Sequence, residues 1–498
     1  MKNSKTHDQY NAVERNNQLV LILNSEVKLP EDAPVRVTSA QLEELDYRKL
    51  YAAYSSKGRK SVTDPRVMFK VMVYGYQCGI YSSRKLEEAC QYRVDFMWLL
   101  GNEKVPDHAT FSRFRTGRCA EAVEDLLYQY VSHLEKQGEV DHKSVFVDGT
   151  KLESRAGRYT FTWRGTAEKN LQKVKQAVLE ETGCTKREQL EELLLKLKEN
   201  INFVYGKGKH KTERQLDIMG EGRNSYSRTD TDATFMRMKE DHMRNGQLKP
   251  AYNVQIAVNS EYITGIKAFS NRTDVGTFIP FMHKLELAHR QRYEEVTADA
   301  GYESLDNYLY LEANGQMSFI KPSNYEAQKT RKFRAQIGRI ENMKYDSEDD
   351  CFICAEGRKL YCRKVSAEMK DGIPVTRAWY RCENCQNCPQ REKCCRKQDI
   401  NAPKEVIWKK TFWEKRSNSL ENITSERGIT LRMNRSIQVE GAFGLLKNDF
   451  GFRRFLTTGK RNIQIELFFL ALGFNLKKRW MKQQKNRLET HYSKKKVS

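Results

Sequence analysis

The spacing of apolar residues along the chain changes at Ser144 and is lost after about Pro322. From Ser39 to Gly138 apolar positions recur at helical intervals. They predict a helix over Ser39 to Tyr54, and a second that opens at Asp64-Pro65, with proline at the first helical position, and stops near Gly79. Ser83 caps a short helix carrying Leu86, and Asp107 caps a long one bearing Phe111, Phe114, Leu126, Leu127 and Val131. Short helices joined by tight turns, ending in Thr110-Phe111-Ser112-Arg113-Phe114-Arg115, suit a helical DNA-binding module as well as they suit an ordinary small helical domain.

At Ser144 strand character begins. Val145, Phe146 and Val147 form an apolar run that reads as a buried strand opening into a turn at Asp148-Gly149. Thr166 to Asn200 then reads as a helical hairpin. Its first half carries Leu171, Val174 and Val178, and its second opens on a Thr185/Glu188 capping box before Leu190, Leu193, Leu194 and Leu197. Tyr252 to Val258 and Tyr262 to Phe269 are expected to pair as a hairpin across Asn259-Ser260-Glu261. A helix over Phe278 to Arg290, a strand over Glu295 to Ala298 ending on Asp299, and a strand over Met317 to Ile320 follow. From about Pro322 to Thr430 the rhythm breaks, and helical spacing returns over Glu440 to Asn448 and Ile463 to Arg479. Strands alternating with helices imply a mixed α/β sheet.

Charge narrows the function. Lys and Arg number 87 against 65 Asp and Glu, a net +22 at pH 7, and a surplus of that size implies a polyanionic partner, nucleic acid before acidic lipid. Met1 to Gln18 is polar, without the apolar stretch of a signal peptide, and the longest apolar run, Leu467 to Phe474, is far too short to span a membrane. The expected setting is therefore cytoplasmic, where the 12 cysteines stay reduced or bind metal instead of forming disulfides.

Asp148 and Asp299 each follow a short apolar run, where side chains emerge from a sheet into a crevice. Carboxylates converging from different elements suit two divalent ions roughly 4 Å apart, one activating the attacking oxygen and the other stabilising the leaving one. The residues around them are informative. Val145-Phe146-Val147-Asp148-Gly149-Thr150, then Thr297-Ala298-Asp299-Ala300-Gly301-Tyr302, then Asn434 to Lys447 around Glu440 resemble, in order, the three acidic motifs of bacterial insertion-sequence transposases of the DDE type. Tyr252-Asn253-Val254-Gln255, Asp274 with Phe278, and Ser83 to Arg115 with Pro106-Asp107-His108 match further segments, so the resemblance runs from about Asp64 to Lys478.

That resemblance implies a ribonuclease-H-like catalytic core, with Asp148, Asp299 and Glu440 as ligands of two Mg or Mn ions. It also implies that Lys447 contacts DNA near the cleaved phosphate. A tyrosine and an arginine expected before the glutamate fall on Met433 and Ser436, so Arg432 or Arg435 stands in, one turn out of register. Arg113 and Arg115 are the further DNA-binding candidates. Asp230 and Asp232, followed by Ala233-Thr234-Phe235-Met236, resemble a family stretch just before the second strand, with Asp241 nearby, and are expected in turns or caps, outside the triad.

Cys382, Cys385, Cys388 and Cys394 are spaced as Cys-x2-Cys-x2-Cys-x5-Cys, with Cys351, Cys354 and Cys362 upstream. Structural zinc on four sulfurs is the leading expectation, with free thiols or an iron–sulfur cluster as alternatives. Cys78, Cys90, Cys119 and Cys184 read as small core residues.

The expected architecture is a helical DNA-binding region over 1–138 and an α/β ribonuclease-H-like mixed sheet over 139–321, with a helical insertion at about 166–204. A cysteine-rich insertion over 322–430, closing helices over 431–480 and a basic tail over 481–498 complete it. The expected activity is metal-dependent hydrolysis at transposon ends and joining of 3′ ends to target, by a homodimer or larger assembly on double-stranded DNA. A catalytically inactive, DNA-binding descendant is the alternative.

Overall fold

The structure is a computed structural model and describes residues 29–54, 61, 63–182, 211–238, 247–370, 373–395 and 402–489. Its centre is a six-stranded sheet. β1 (Ser144–Glu153) is flanked by β5 (Leu248–Asn259), antiparallel to it, and β7 (Glu295–Ala298), parallel to it. β8 (Met317–Ile320) adds a further parallel strand beyond β7. β4 (Thr234–Arg237) and β6 (Tyr262–Phe269) both pair antiparallel with β5. Val145, Phe146 and Val147 are buried, as expected of a strand covered on both faces. Ser260 and Glu261 take φ of 51° and 76°, the positive values that a two-residue hairpin turn between β5 and β6 calls for.

β1 does not end at Asp148-Gly149 as its apolar run suggested. Pairing with β5 carries it on through Glu153, whereas pairing with β7 stops at Val147 opposite Ala298. Antiparallel hydrogen bonds therefore sustain a strand whose hydrophobicity has already run out.

The amino-terminal helices include α1 (Pro34–Glu43), α3 (Pro65–Gln77), α6 (His108–Arg113) and α7 (Val123–Lys136); α2 (Arg48–Ala52), α4 (Ser83–Tyr92) and α5 (Val94–Leu100) lie between them. The helix expected over Ser39 to Tyr54 is thus two helices with a break at 44–47, and the one capped by Asp107 is interrupted before Val123. These helices pack on the long helix Lys460–Gln484: Phe69 and Tyr76 meet Phe469 at ring-centroid distances of 5.8 and 5.4 Å. A Cβ at Gly473 would lie 2.8 Å from the Gln77 amide, so glycine permits this close crossing. Core residues of α3, α7, β5, β6 and Lys460–Gln484 form one cluster, so packing runs continuously across position 138.

α8 (Arg164–Thr182) realises the first half of the expected hairpin; Thr185 to Leu197, Cys184 and Asp241 lie outside the described residues. After β8 comes a second, antiparallel sheet, β9 (Lys344–Asp346), β10 (Cys351–Ile353), β11 (Lys359–Lys370), β12 (Ile373–Cys382) and β13 (Glu405–Trp408). It has its own core of Phe352, Leu360, Ala378, Tyr380 and Val406. Helix Lys410–Thr424 then returns to the first sheet, where Ser419 Oγ donates to the Ile320 carbonyl at 2.9 Å. No helix among the described residues is long and apolar enough to cross a membrane.

Candidate active site

Because Val147 and Ala298 are directly paired, the next residues, Asp148 and Asp299, stand side by side where the parallel pairing ends. Adjacent strands lie roughly 4.8 Å apart, so their carboxylates emerge within reach of one small cation. Asp148 is buried, and one of its oxygens accepts from the Gly149 amide at 2.8 Å. Asp299 is more open and accepts from the Gly301 amide at 2.8 Å.

A helical run from Glu426 to Asp449 crosses β1 and brings the remaining groups. Arg427 fixes its start, donating from Nε and Nη2 to the two oxygens of Glu295 at 2.9 and 2.6 Å. Further along, Gln438 accepts from the Glu261 amide at the β5–β6 turn, at 2.9 Å. Between them Arg435 points its guanidinium into the acidic pair. One nitrogen, Nη2, lies 2.9 Å from Asp148 Oδ2 and 3.8 Å from Asp299 Oδ2.

Glu440 closes a π-helical turn, Ser436–Glu440. In a regular α-helix five residues advance about 500°, which would set Glu440 roughly 140° from Arg435. The wider i→i+5 turn takes in an extra residue and brings Glu440 back toward the Arg435 side. Glu440 is exposed, and the ligand oxygens of Asp148, Asp299 and Glu440 do not all fall within 4.8 Å of one another. A second π turn, Leu445–Asp449, holds Lys447 beside Thr150 and Leu152 of β1, at a small cavity.

The site also holds groups that were not assigned to it from the sequence. Asp274 Oδ1 accepts from Asn253 Nδ2 at 2.7 Å and from Gln255 Nε2 at 3.0 Å. Gly149 leaves the space for this: a Cβ there would lie 2.4 Å from Gln255 Nε2 and 2.7 Å from Asp274 Oδ1. Tyr302 is buried beneath the cluster and donates to Gln255 Oε1. Burial pushes its hydroxyl well above the ordinary value; the carboxylates of Asp274, Asp148 and Asp299 push the same way, and Arg435 opposes them. A Cβ at Gly301 would lie 3.0 Å from Asp299 Oδ1 and 3.3 Å from Asp274 Oδ2, so Asp274 is a further carboxylate beside the pair. In the sequence its only sign was the Asp274/Phe278 motif.

The other candidates are dispersed. Arg113 is exposed, near Arg118 on an open groove of about 400 Å³. Arg115 is buried and donates to the Tyr81 carbonyl at 3.0 Å, so its charge is spent inside the protein and it is not a DNA contact in this arrangement. Arg432 lies over the Tyr325 ring, 5.5 Å from its centroid. Asp230 accepts from Ser154, Tyr252 and the Gly459 amide, and Asp232 from the Lys460 amide, which are supporting roles as expected.

Of the cysteines expected to bind zinc, Cys382 ends β12 and Cys394 ends the short helix Arg391–Cys394. Zinc at about 2.3 Å from each of four sulfurs needs them about 3.8 Å apart. No three cysteine sulfurs among the described residues lie within 4.8 Å of one another. Cys382 Sγ donates to the Asn384 carbonyl at 3.5 Å, and Cys385 Sγ accepts from the Lys404 amide at 3.2 Å. Cys354, Cys362 and Cys385 pack against the cluster that contains Cys382. Cys90 and Cys119 are buried, as expected of core residues, whereas Cys78 is exposed.

The Transposase DDE domain family matches residues 353–480, and the Transposase domain (DUF772) family matches residues 23–117. Both matches support a DDE-type transposase of an insertion element. The first match contains Glu440 and Lys447 and the second contains Arg113 and Arg115; Asp148 and Asp299 lie between the two matched segments. Among curated proteins none matches the transposase.

Proposed function

We propose that this transposase hydrolyses phosphodiesters at the ends of its element and joins the freed 3′ ends to target DNA, using divalent ions held by Asp148, Asp299 and Glu440. The in-register adjacency of Asp148 and Asp299, with one guanidinium nitrogen shared between them, carries this reading. Two carboxylates already sharing a cationic group are a fitting donor set for Mg or Mn, which prefer hard oxygen ligands. When bound, the ions supply activation of the attacking oxygen and stabilisation of the leaving one. The strand order, three antiparallel strands followed by two parallel ones, supports a ribonuclease-H-like core, with the β9–β13 sheet as an insertion between Asp299 and Glu440.

The chain's own groups supply orientation. The Gly149 and Gly301 amides hold one oxygen of each aspartate, leaving the other to face the cleft. Lys447, on the same helical run as Glu440, provides a point charge for a phosphate. Arg435 keeps the acids neutralised until ions and DNA arrive and then turns to the phosphate backbone. The working form is a dimer or larger assembly holding two ends.

Two outcomes are expected. Arg435→Gln removes the competing charge, so Mn titrated without DNA should bind several-fold more tightly than to wild type by calorimetry, while affinity for end DNA falls. Unchanged Mn affinity would mean the guanidinium does not compete. Binding of end DNA should weaken steeply with salt, and Arg113→Ala should lower the log–log salt slope by about 1, whereas Arg115→Ala should leave it unchanged. Fluorescence anisotropy between low and physiological salt measures both slopes.

A further inference from the structure

Away from the acidic cleft, three metal-ligating side chains meet between α7, the turn before β1 and helix Phe278–His289. They are Glu135, His142 and His289, and one ligand atom of each lies within 4.8 Å of the others. The His142 and His289 side chains are only 6% and 2% exposed, and their rings pack 5.1 Å apart. Tyr293 and Tyr128 cover them, with Tyr293 5.0 Å from the His142 ring and Tyr128 5.4 Å from that of His289.

The hydrogen bonds decide which atoms are offered. His289 Nε2 lies 2.9 Å from the Thr264 carbonyl, which can only accept, so Nε2 carries the proton and Nδ1 is a bare lone pair. That lone pair faces Glu135 Oε1 at 3.8 Å. A lone pair directed at a carboxylate oxygen inside a protein is unfavourable unless a positive charge lies between them. His142 Nε2 contacts the same Glu135 oxygen, and its buried Nδ1 has no hydrogen-bond partner among the described residues. An imidazole that donates one N–H to a backbone carbonyl while turning its other nitrogen to a carboxylate has the outer-shell arrangement of a metal ligand.

We propose that Glu135, His142 and His289 form a structural site for a divalent transition ion of the zinc class, separate from the Mg or Mn site. Two imidazoles and a carboxylate suit a borderline ion better than Mg, and the enclosing tyrosines leave it no substrate access. Zinc bonds of about 2.0–2.2 Å set tetrahedral ligands roughly 3.4 Å apart, so the His289–Glu135 pair would close from 3.8 Å and the hydrogen-bonded His142–Glu135 pair would open, an adjustment that Glu135, the most exposed of the three, can supply by rotation. Ligation through Nε2 places the single proton of neutral His142 on Nδ1. The ion would staple the end of α7 and the end of helix Phe278–His289 to the start of β1, the strand that carries Asp148.

The test uses the full chain, stripped with chelator, dialysed and titrated with Zn or Co, comparing wild type with Glu135→Gln and His289→Ala. Wild type should retain about one more ion per chain than either variant, and its melting temperature should rise by several degrees on adding Zn while that of Glu135→Gln does not. Bound Co should show visible bands without the near-ultraviolet thiolate band, separating this site from cysteines. If His289→Ala fails to fold, Glu135→Gln, which preserves shape and removes the charge, decides alone. Equal metal content and equal Zn-induced shifts in wild type and Glu135→Gln would overturn the site. So would a wild type that takes up no ion and melts identically with and without Zn, which would leave a proton, not a metal, between the ligands.

Discussion

Asp148→Asn and Glu440→Gln should each reduce Mg-dependent cleavage of the element's ends by about 10³-fold or more, because a bound ion stabilises transition-state charge by several kcal/mol and each 1.4 kcal/mol is tenfold in rate. Affinity for end DNA should survive both changes. Asp148 lies beneath the cleft with one oxygen already held by the Gly149 amide, so the amide substitution keeps shape and hydrogen bonding while removing charge. Asp148→Asn also strands Arg435 beside a neutral group, so a modest loss of stability is expected alongside the kinetic defect. Single-turnover cleavage with anisotropy on the same substrate separates the two effects. Near-normal turnover in either variant would remove that residue from the site.

The largest effect on stability should come from Glu139, remote from the chemistry. Its carboxylate is fully buried and accepts from Lys482 Nζ, from Arg479 Nη1 at 3.2 Å, from Tyr262 Oη at 2.8 Å and from the Glu489 amide at 2.6 Å. Lys482 is itself 1% exposed. Glu139→Ala leaves that ammonium buried without its counter-charge, a change that typically costs about 3–5 kcal/mol. Urea unfolding should show it as a lowered midpoint. The pH dependence has a definite sign. Burial raises the Glu139 carboxyl, but hydrogen bonds from Lys482 and the Glu489 amide outweigh it and hold the group below the usual carboxylate range. Its contribution is therefore complete above the unfolded carboxylate value and is lost as pH falls through the depressed folded value. Wild type should lose more stability than Glu139→Gln across that acid window.

These two sites differ in how readily the sequence revealed them. Asp299 was legible because Val296 and Ala298 alternate before it and Gly301 follows, marking a short strand that was found where expected. Asp148 was legible as a position but not as mid-strand, because Lys151 and Glu153 carry no apolar signal and are held by pairing with β5. The second sheet was missed altogether. In β11 the residues from Arg363 to Lys370 are largely exposed, so no core face imposes an alternating pattern. The basic tail was expected from 481, yet Lys482 lies within the helix Lys460–Gln484 and pairs with Glu139, as Arg479 does. Arg435 and Asp274 entered the acidic cluster through long-range packing, and no local spacing encodes that. Arg115 shows the converse, a basic residue in a DNA-binding-like stretch whose charge is turned inward.

The central claim is that Asp148 and Asp299 hold the ions that cut DNA, and replacing each with cysteine tests it most directly. A thiolate is a poor ligand for Mg and a better one for Mn. Cleavage of end DNA by Asp148→Cys and Asp299→Cys should be lost in Mg and substantially restored in Mn, with wild type active in both. Cysteine variants as active in Mg as wild type would contradict the account, because a residue that ligates the ion cannot change its donor atom without changing which metal works.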